Sequence, residues 1–218
     1  MRGELRLWMP VVFGCHCVAP ILRQLARDHP VLELDLHFSD RQADIIAEHI
    51  DLAIHNGAIG PSTSQLRARR LSNQKKMLCA SPDYLARRGA PEGIAALAAH
   101  DLLRYWRADY VQPWLVPDEN GRSTEAALAS RLRFDDLAVV ADAARAGMGL
   151  AWLPRWLVSE PLRQSALVSV LDTHSPASIE CHALRPVAPN MPLRLRSAID
   201  ALVAGLLDAV EPRQHAGD

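Results

Sequence analysis

Arg133-Phe-Asp-Asp-Leu-Ala-Val-Val-Ala-Asp-Ala-Ala-Arg-Ala-Gly-Met-Gly-Leu-Ala-Trp-Leu-Pro154 is the stretch whose reading decides the fold. Asp135 or Asp136 can open a helix by accepting its free backbone N–H groups. Leu137, Val140, Ala141 and Ala144 then recur at helical spacing. Gly147 suits the left-handed residue that ends such a helix, and Gly149 permits close packing. Leu150 to Leu153 is a short apolar strand stopped by Pro154. A strand end, a helix and a buried strand in that order make a βαβ unit. Its helix N-terminus lies at the carboxyl edge of a sheet, where open α/β sheets bind small and often anionic ligands.

The rest of the chain repeats this grammar. Leu5–Met9 reads as a strand that turns at Pro10. Val18, Leu22, Leu25 and Ala26 form one helical stripe, with Pro20 in the first turn and Pro30 beyond the end. Leu32, Leu34, Leu36 and Phe38 alternate with polar residues as in a half-buried strand. Ser39-Asp40 is expected to cap a helix through Ile45, Ile46 and Ile50, and Asp51–His55 a third strand closed by Asn56-Gly57. The first 57 residues thus spell β-α-β-α-β, the pattern of a doubly wound parallel sheet.

Beyond Gly57 two short strands are expected at Leu66–Leu71 and Lys76–Ala80, then helices opened by Ser81-Pro82 and by Pro91. Strands follow at Leu102–Trp106 and Trp114–Val116, and later at Ala166–Leu171 and Ile179–Leu184. A final helix carries Leu195, Ile199, Leu202, Leu206 and Val210 on one face.

Composition excludes several classes. The 218 residues are 49% hydrophobic with a net charge of −1, so the chain lacks the basic face that nucleic-acid binding needs. Apolar runs fall short of the roughly 20 residues that span a bilayer. The expected location is the cytoplasm, with no membrane partner. Four scattered cysteines make no disulfide framework. Cys15-His16-Cys17 offers soft ligands, but neighbours two apart rarely chelate one ion without a second ligand pair. A loop leading into a helix is expected there, with no metal. No nucleophile–base pair or phosphate loop is visible, so no catalytic residue or cofactor is assigned.

In order and spacing, the landmarks resemble the effector-binding domain of LysR-type transcriptional regulators. The matching pieces are Gly3-x-Leu5-Arg6-Leu7, Pro10-x-x-Phe13-Gly14, Ala19-Pro20 and His29-Pro30-x-Leu32-x-Leu34-x-Leu36. They continue with Ser39-Asp40, Ile50-Asp51-Leu52-Ala53-Ile54-x-x-Gly57 and Ala80-Ser81-Pro82-x-Tyr84-Leu85 with Gly89-x-Pro91. The last is Ala146-Gly147-x-Gly149-Leu150-Ala151-x-Leu153-Pro154. Pro10 matches the subgroup that regulates adhesion, efflux and aromatic metabolism.

The resemblance implies an α/β protein of two Rossmann-like lobes with a ligand cleft, similar to type 2 periplasmic binding proteins. Lobe I would be residues 1–75 plus 181–218, and lobe II residues 76–180, with Cys79 and Cys181 on the two crossovers between them, close together and reduced. A winged helix-turn-helix is expected upstream, outside this chain, to bind promoter DNA. The partners implied are a small-molecule effector and a second copy of the chain, with a tetramer in the full-length regulator. The alternatives are a solute-binding protein and an enzyme of the same fold. One departure stands out: His55 occupies the place where the family commonly has an arginine that would grip a carboxylate bidentately.

The expected cleft residues are Pro10, Val11, Val12, Ser39, His55 and Asn56 from lobe I. From lobe II they are Tyr105, Phe134, Asp135, Met148 and Trp152. In proteins the chain resembles, two subunits meet helix to helix. Ala138, Val139 and Ala143 give the helix after Asp136 a second small or apolar face for such a contact.

Overall fold

In the computed structural model, residues 2–60, 65–107, 110–111, 114–117, 123–125, 129–171 and 178–211 are described. They form two units, Met1–Gln74 with Ile179–Asp218, and Lys75–Ser178.

Unit 1 begins with β1 (Gly3–Met9), whose alternate residues Leu5, Leu7 and Met9 are fully buried. A helical run follows: one turn α1 (Val11–Phe13), a wide turn over Gly14–Val18, and α2 (Ala19–Asp28). Cys15-His16-Cys17 is therefore part of the helical run and not a loop before it. A wide turn inserts a residue into the helical ladder. Gly14 sits where a Cβ would meet the Met9 side chain at 2.5 Å, so the run presses directly on the end of β1. Next come β2 (Leu32–Phe38) and β3 (Leu52–Asn56), both parallel to β1.

The helix expected after Ser39-Asp40 does not form among the described residues. A single turn spans residues 45–49, opened by Asp44, whose Oδ1 accepts from the N–H groups of Ile46 (3.2 Å) and Ala47 (3.0 Å). It ends at His49, which is left-handed (φ 53°). Ile45 and Ile50 are buried while Ile46 is exposed. Asp51 is already tied to β1, donating to the Arg6 carbonyl at 3.0 Å and accepting from its N–H at 2.9 Å. Ser39, through the Met9 carbonyl, and Asp51, through Arg6, are both pinned to β1, and the segment between them forms this single turn.

β4 (Leu66–Ala80) is one long strand where two short ones were expected. It carries the chain into unit 2, and β12 (Ser178–Pro186) carries it back. Within unit 1 the sheet order is β2-β1-β3-β12-β4, with β12 antiparallel to β3.

Unit 2 continues with α3 (Pro82–Arg88) and a tight turn over Ile94–Ala99, and then β5 (Leu102–Arg107). Short strands β6 (Tyr110–Val111), β7 (Leu115–Pro117), β8 (Ser123–Glu125) and β9 (Leu132–Phe134) lead to α4 (Leu137–Arg145). After β10 (Leu150–Pro154), α5 (Arg155–Arg163) and β11 (Val168–Val170) complete it. The sheet order here is β4-β10-β5-β6, with β9 beside β5 and β11 beside β4.

Side-chain parity sorts the core of unit 2 into two layers. Cys79, Leu103, Ala151 and Leu153 pack under α4 and α5 with Val140, Ala144 and Val158. Leu78, Ala80, Leu102 and Leu150 pack on the other face with Tyr84, Leu97 and Trp114. Buried strands alternate faces with period two, so each strand serves both layers.

Back in unit 1, α6 (Leu193–Val210) packs on α2. The contact is close because Gly205 has no side chain; a Cβ there would meet Ile21 at 2.9 Å.

The four cysteines are free thiols. Burial pushes Cys17, Cys79 and Cys181 up to about 12. Cys79 donates to the Ala151 carbonyl at 3.6 Å.

Candidate functional site

β1, β2 and β3 run parallel, so their carboxyl ends meet at one edge of unit 1. Pro10 caps the helical run there, and no side chain caps that end. Val11 is half-buried and Val12 buried. Ser39 follows β2; its N–H donates to the Met9 carbonyl at 2.9 Å, which pins the ends of β1 and β2 together. Its hydroxyl accepts from the Arg41 N–H at 3.3 Å, an Ser39 turn in place of the expected helix cap.

At the end of β3, His55 Nε2 donates to the Ala58 carbonyl at 3.0 Å. Asn56 Oδ1 accepts from Gln74 Nε2 at 2.7 Å. Gln74 is 2% exposed, so an amide buried on β4 orients Asn56. The six residues expected from lobe I thus gather at one sheet edge.

Arg41 adds to this edge and was not legible from spacing. Its guanidinium lies 4.3 Å over the Trp8 ring, and it pairs with Glu48 through both terminal nitrogens. Glu48 raises Arg41 and is itself held below the usual carboxylate range. A bound carboxylate there would compete with Glu48 for Arg41.

In unit 2 the expected residues divide. Tyr105 and Phe134 are direct partners in the parallel β5–β9 ladder, and both pack on the layer under α4. Asp135 follows, exposed, and the neighbouring Asp136 caps α4, accepting from Ala138 N at 2.6 Å and Val139 N at 3.2 Å. These three residues share the carboxyl edge.

Met148 does not join them. It precedes β10, whose Leu150 pairs with Leu102 and donates to the Asp101 carbonyl at 2.8 Å. β5, β9 and β10 all point the same way. Met148 therefore lies at the amino edge: Leu150, two residues after it, is level with Leu102 and already about 10 Å of strand from Tyr105. A βαβ helix runs antiparallel to its strands, so its last residues return to the edge opposite its first.

Trp152 is at the right end but on the other face. Its ring lies 5.9 Å from Trp114 in the layer under α3. Arg104 shares that face; it is 5% exposed and its guanidinium lies 5.6 Å from the Trp114 ring. Lys76, 6% exposed on β4, pairs in register with Pro154 and is pulled down to about 7 by burial. Two buried cations in a chain rich in surface arginines carry no sequence signal, because burial is a property of neighbours.

The face expected on α4 for a second copy is also smaller than its spacing implied. Val139 is 45% exposed, but Ala143 is buried under the helix at 7%.

Comparison with known proteins agrees with this architecture. The family model "LysR substrate binding domain" matches residues 1–207. The HTH-type transcriptional regulator DmlR of Escherichia coli K12 is 31% identical over 197 residues, covering 89% of this chain and 63% of that protein. CrgA of Neisseria meningitidis serogroup C is 27% identical over 208 residues, covering 94% of this chain and 68% of that one. The chain thus spans about two thirds of the length of these relatives. The solved regulatory domain of CrgA from Neisseria meningitidis superposes with a TM-score of 0.81 at 24% identity, covering 94% of this chain and 100% of that one. The fold is that of the type 2 periplasmic-binding-protein-like regulatory domains. The chain belongs to the LysR substrate-binding domain family.

Proposed function

We infer that this chain is the effector-sensing part of a DNA-binding LysR-type regulator, acting by binding and not by catalysis. Promoter DNA is held by a winged helix-turn-helix outside the chain. The protein works in the cytoplasm as a homodimer that pairs into tetramers at full length. A small molecule changes transcription through its unequal affinity for two arrangements of the protein.

The observation that carries this reading is the gathering of Pro10, Ser39, His55 and Asn56 at one sheet edge beside a helix end with no side-chain cap. Peptide N–H groups and short polar side chains there suit a small polar ligand better than a macromolecule. Val11 and Val12 complete the proposed contact set in unit 1; within unit 2 the proposed contacts are Tyr105, Phe134 and Asp135. Met148 is dropped from it, and Trp152 with it.

A thermal-shift screen of small acids, aromatics and amines tests the reading. A ligand at a hundred times its Kd adds about 2.7 kcal/mol, or roughly 5–10 °C in Tm for a chain of this size. The reading requires at least one such compound, with the shift reduced by Asn56→Ala. A screen without any stabilising compound sinks it.

A further inference from the structure

His182 stands directly opposite His55 in the antiparallel ladder of β12 and β3. Partners in such a ladder share a face, with Cβ atoms about 4.5–5.5 Å apart. The next pair on that face, Leu184 and Ala53, belongs to an apolar cluster with Ile45, Ile50 and Trp8. The two imidazoles extend that face to the edge of unit 1 where Pro10, Ser39 and Asn56 gather.

A hydrogen bond at His55 and a carboxylate beside His182 assign which nitrogens carry protons. A carbonyl oxygen only accepts, so His55 Nε2, 3.0 Å from Ala58 O, bears the hydrogen. His55 Nδ1 is then a lone-pair acceptor. His182 Nε2 lies 3.5 Å from Glu180 Oε2, and the other oxygen of Glu180 accepts from Arg70 at 3.3 Å. The carboxylate draws the His182 proton to Nε2 as well. His182 Nδ1 is left as an acceptor, buried and without a hydrogen-bond partner among the described residues, in a side chain only 10% exposed. Buried polar atoms are nearly always paired, so an orphan of this kind marks a place where a donor belongs.

The chemistry narrows the occupant. A bare carboxylate brings acceptors to a pair of acceptors. Among the described residues no three potential ligands gather for a metal ion, and two imidazoles leave zinc two ligands short. A hydroxyl or amine supplies the missing hydrogen, and the burial of Nδ1 leaves room only for a small group.

We propose that His182 is a specificity-determining residue of the effector site, its Nδ1 accepting a hydrogen bond from a small hydroxyl or amine group of the effector, beside His55. This rests on the effector-binding reading. Sites built around a buried polar partner reject analogues that lack the matching group, because the partner is then left unpaired.

The test is titration with matched pairs: lactate against propionate, and 4-hydroxybenzoate and 4-aminobenzoate against benzoate. The donor-bearing member of at least one pair is expected to bind about tenfold tighter. It should also move the ¹⁵N resonance of His182 Nδ1. His182→Phe should abolish the preference, bringing the two members of the pair to equal affinity. Equal binding by both members of every pair overturns the inference and leaves the effector reading standing. A preference that survives in His182→Phe overturns it too, as does zinc chloride binding that needs both histidines, or no binding by any member. Should the variant fail to fold, the wild-type resonance decides, and an unmoved Nδ1 signal during binding overturns the inference.

Discussion

A methyl group on Gly149 would stand 2.3 Å from the carbonyl oxygen of Asp101. That oxygen accepts the Leu150 N–H at 2.8 Å, the bond that starts the β5–β10 ladder. The glycine is required by the approach of another backbone, which cannot swing aside as a side chain can. Gly149→Ala should therefore destabilise by about 1–3 kcal/mol, the usual cost of overpacking. Gly60→Ala, where a Cβ meets nothing within 4 Å, serves as control and should stay within about 0.5 kcal/mol. Urea titrations of the two variants decide it; equal midpoints would refute the close-approach account.

Asp135 and Asp136 are adjacent carboxylates with separate tasks. Asp136 holds the first N–H groups of α4, and Asp135 is exposed. Asp136→Ala should lose about 1 kcal/mol as a lost helix cap, while Asp135→Ala should leave Tm nearly unchanged. If the two variants melt alike, the cap is misassigned.

Lys76 gives unit 2 an unusual response to alkali. Burial lowers it from 10.5 to about 7 in the folded chain. The unfolded chain therefore holds one more proton than the folded one between about pH 7 and 10.5, and stability rises with pH across that window. Lys76→Met should flatten the rise and raise stability most near pH 7, where the native chain still bears part of the buried charge. Denaturant midpoints taken from pH 7 to 10 check the slope. A wild-type curve that falls throughout, with Lys76→Met falling in parallel, excludes the effect.

The homodimer proposed above has its test on α4. Val139 is the large apolar residue that this helix leaves exposed, at 45%. In an isologous contact one substitution acts twice. Val139→Asp should shift the chain toward monomer in light scattering at micromolar concentration, with an unchanged circular dichroism spectrum. A variant that dimerises like the wild type places the interface elsewhere.

Part of the candidate site was open to reading from spacing. The ends of β1, β2 and β3 were legible because apolar alternation and the stops at Pro10, Ser39 and Asn56 are local signals, and local signals set where strands end. The residues around α4 were legible for the same reason: Asp136 caps, Gly147 is left-handed at φ 73°, and Val140, Ala141 and Ala144 are buried. Arg41 and His182 were not, since one needs the Trp8 ring beneath it and the other a partner strand some 127 residues away in sequence.

What the amino-acid sequence determined by itself was the period of each segment, hence its type, its caps and which of its own residues share a face. Backbone geometry enforces those relations within a few residues, whatever else the chain does. Tertiary structure alone decided the relations between segments. Ile45 to Ile50 became one turn because Asp51 is tied to Arg6. β4 stayed a single strand because its length pairs with β10, β11 and β12 in turn. Met148 left the proposed site because α4 returns the chain to the opposite edge, and Trp152 because its register sets it on the α3 face beside Trp114. Direction and register are fixed by hydrogen bonds and burial between residues far apart in the chain, and no local pattern encodes them.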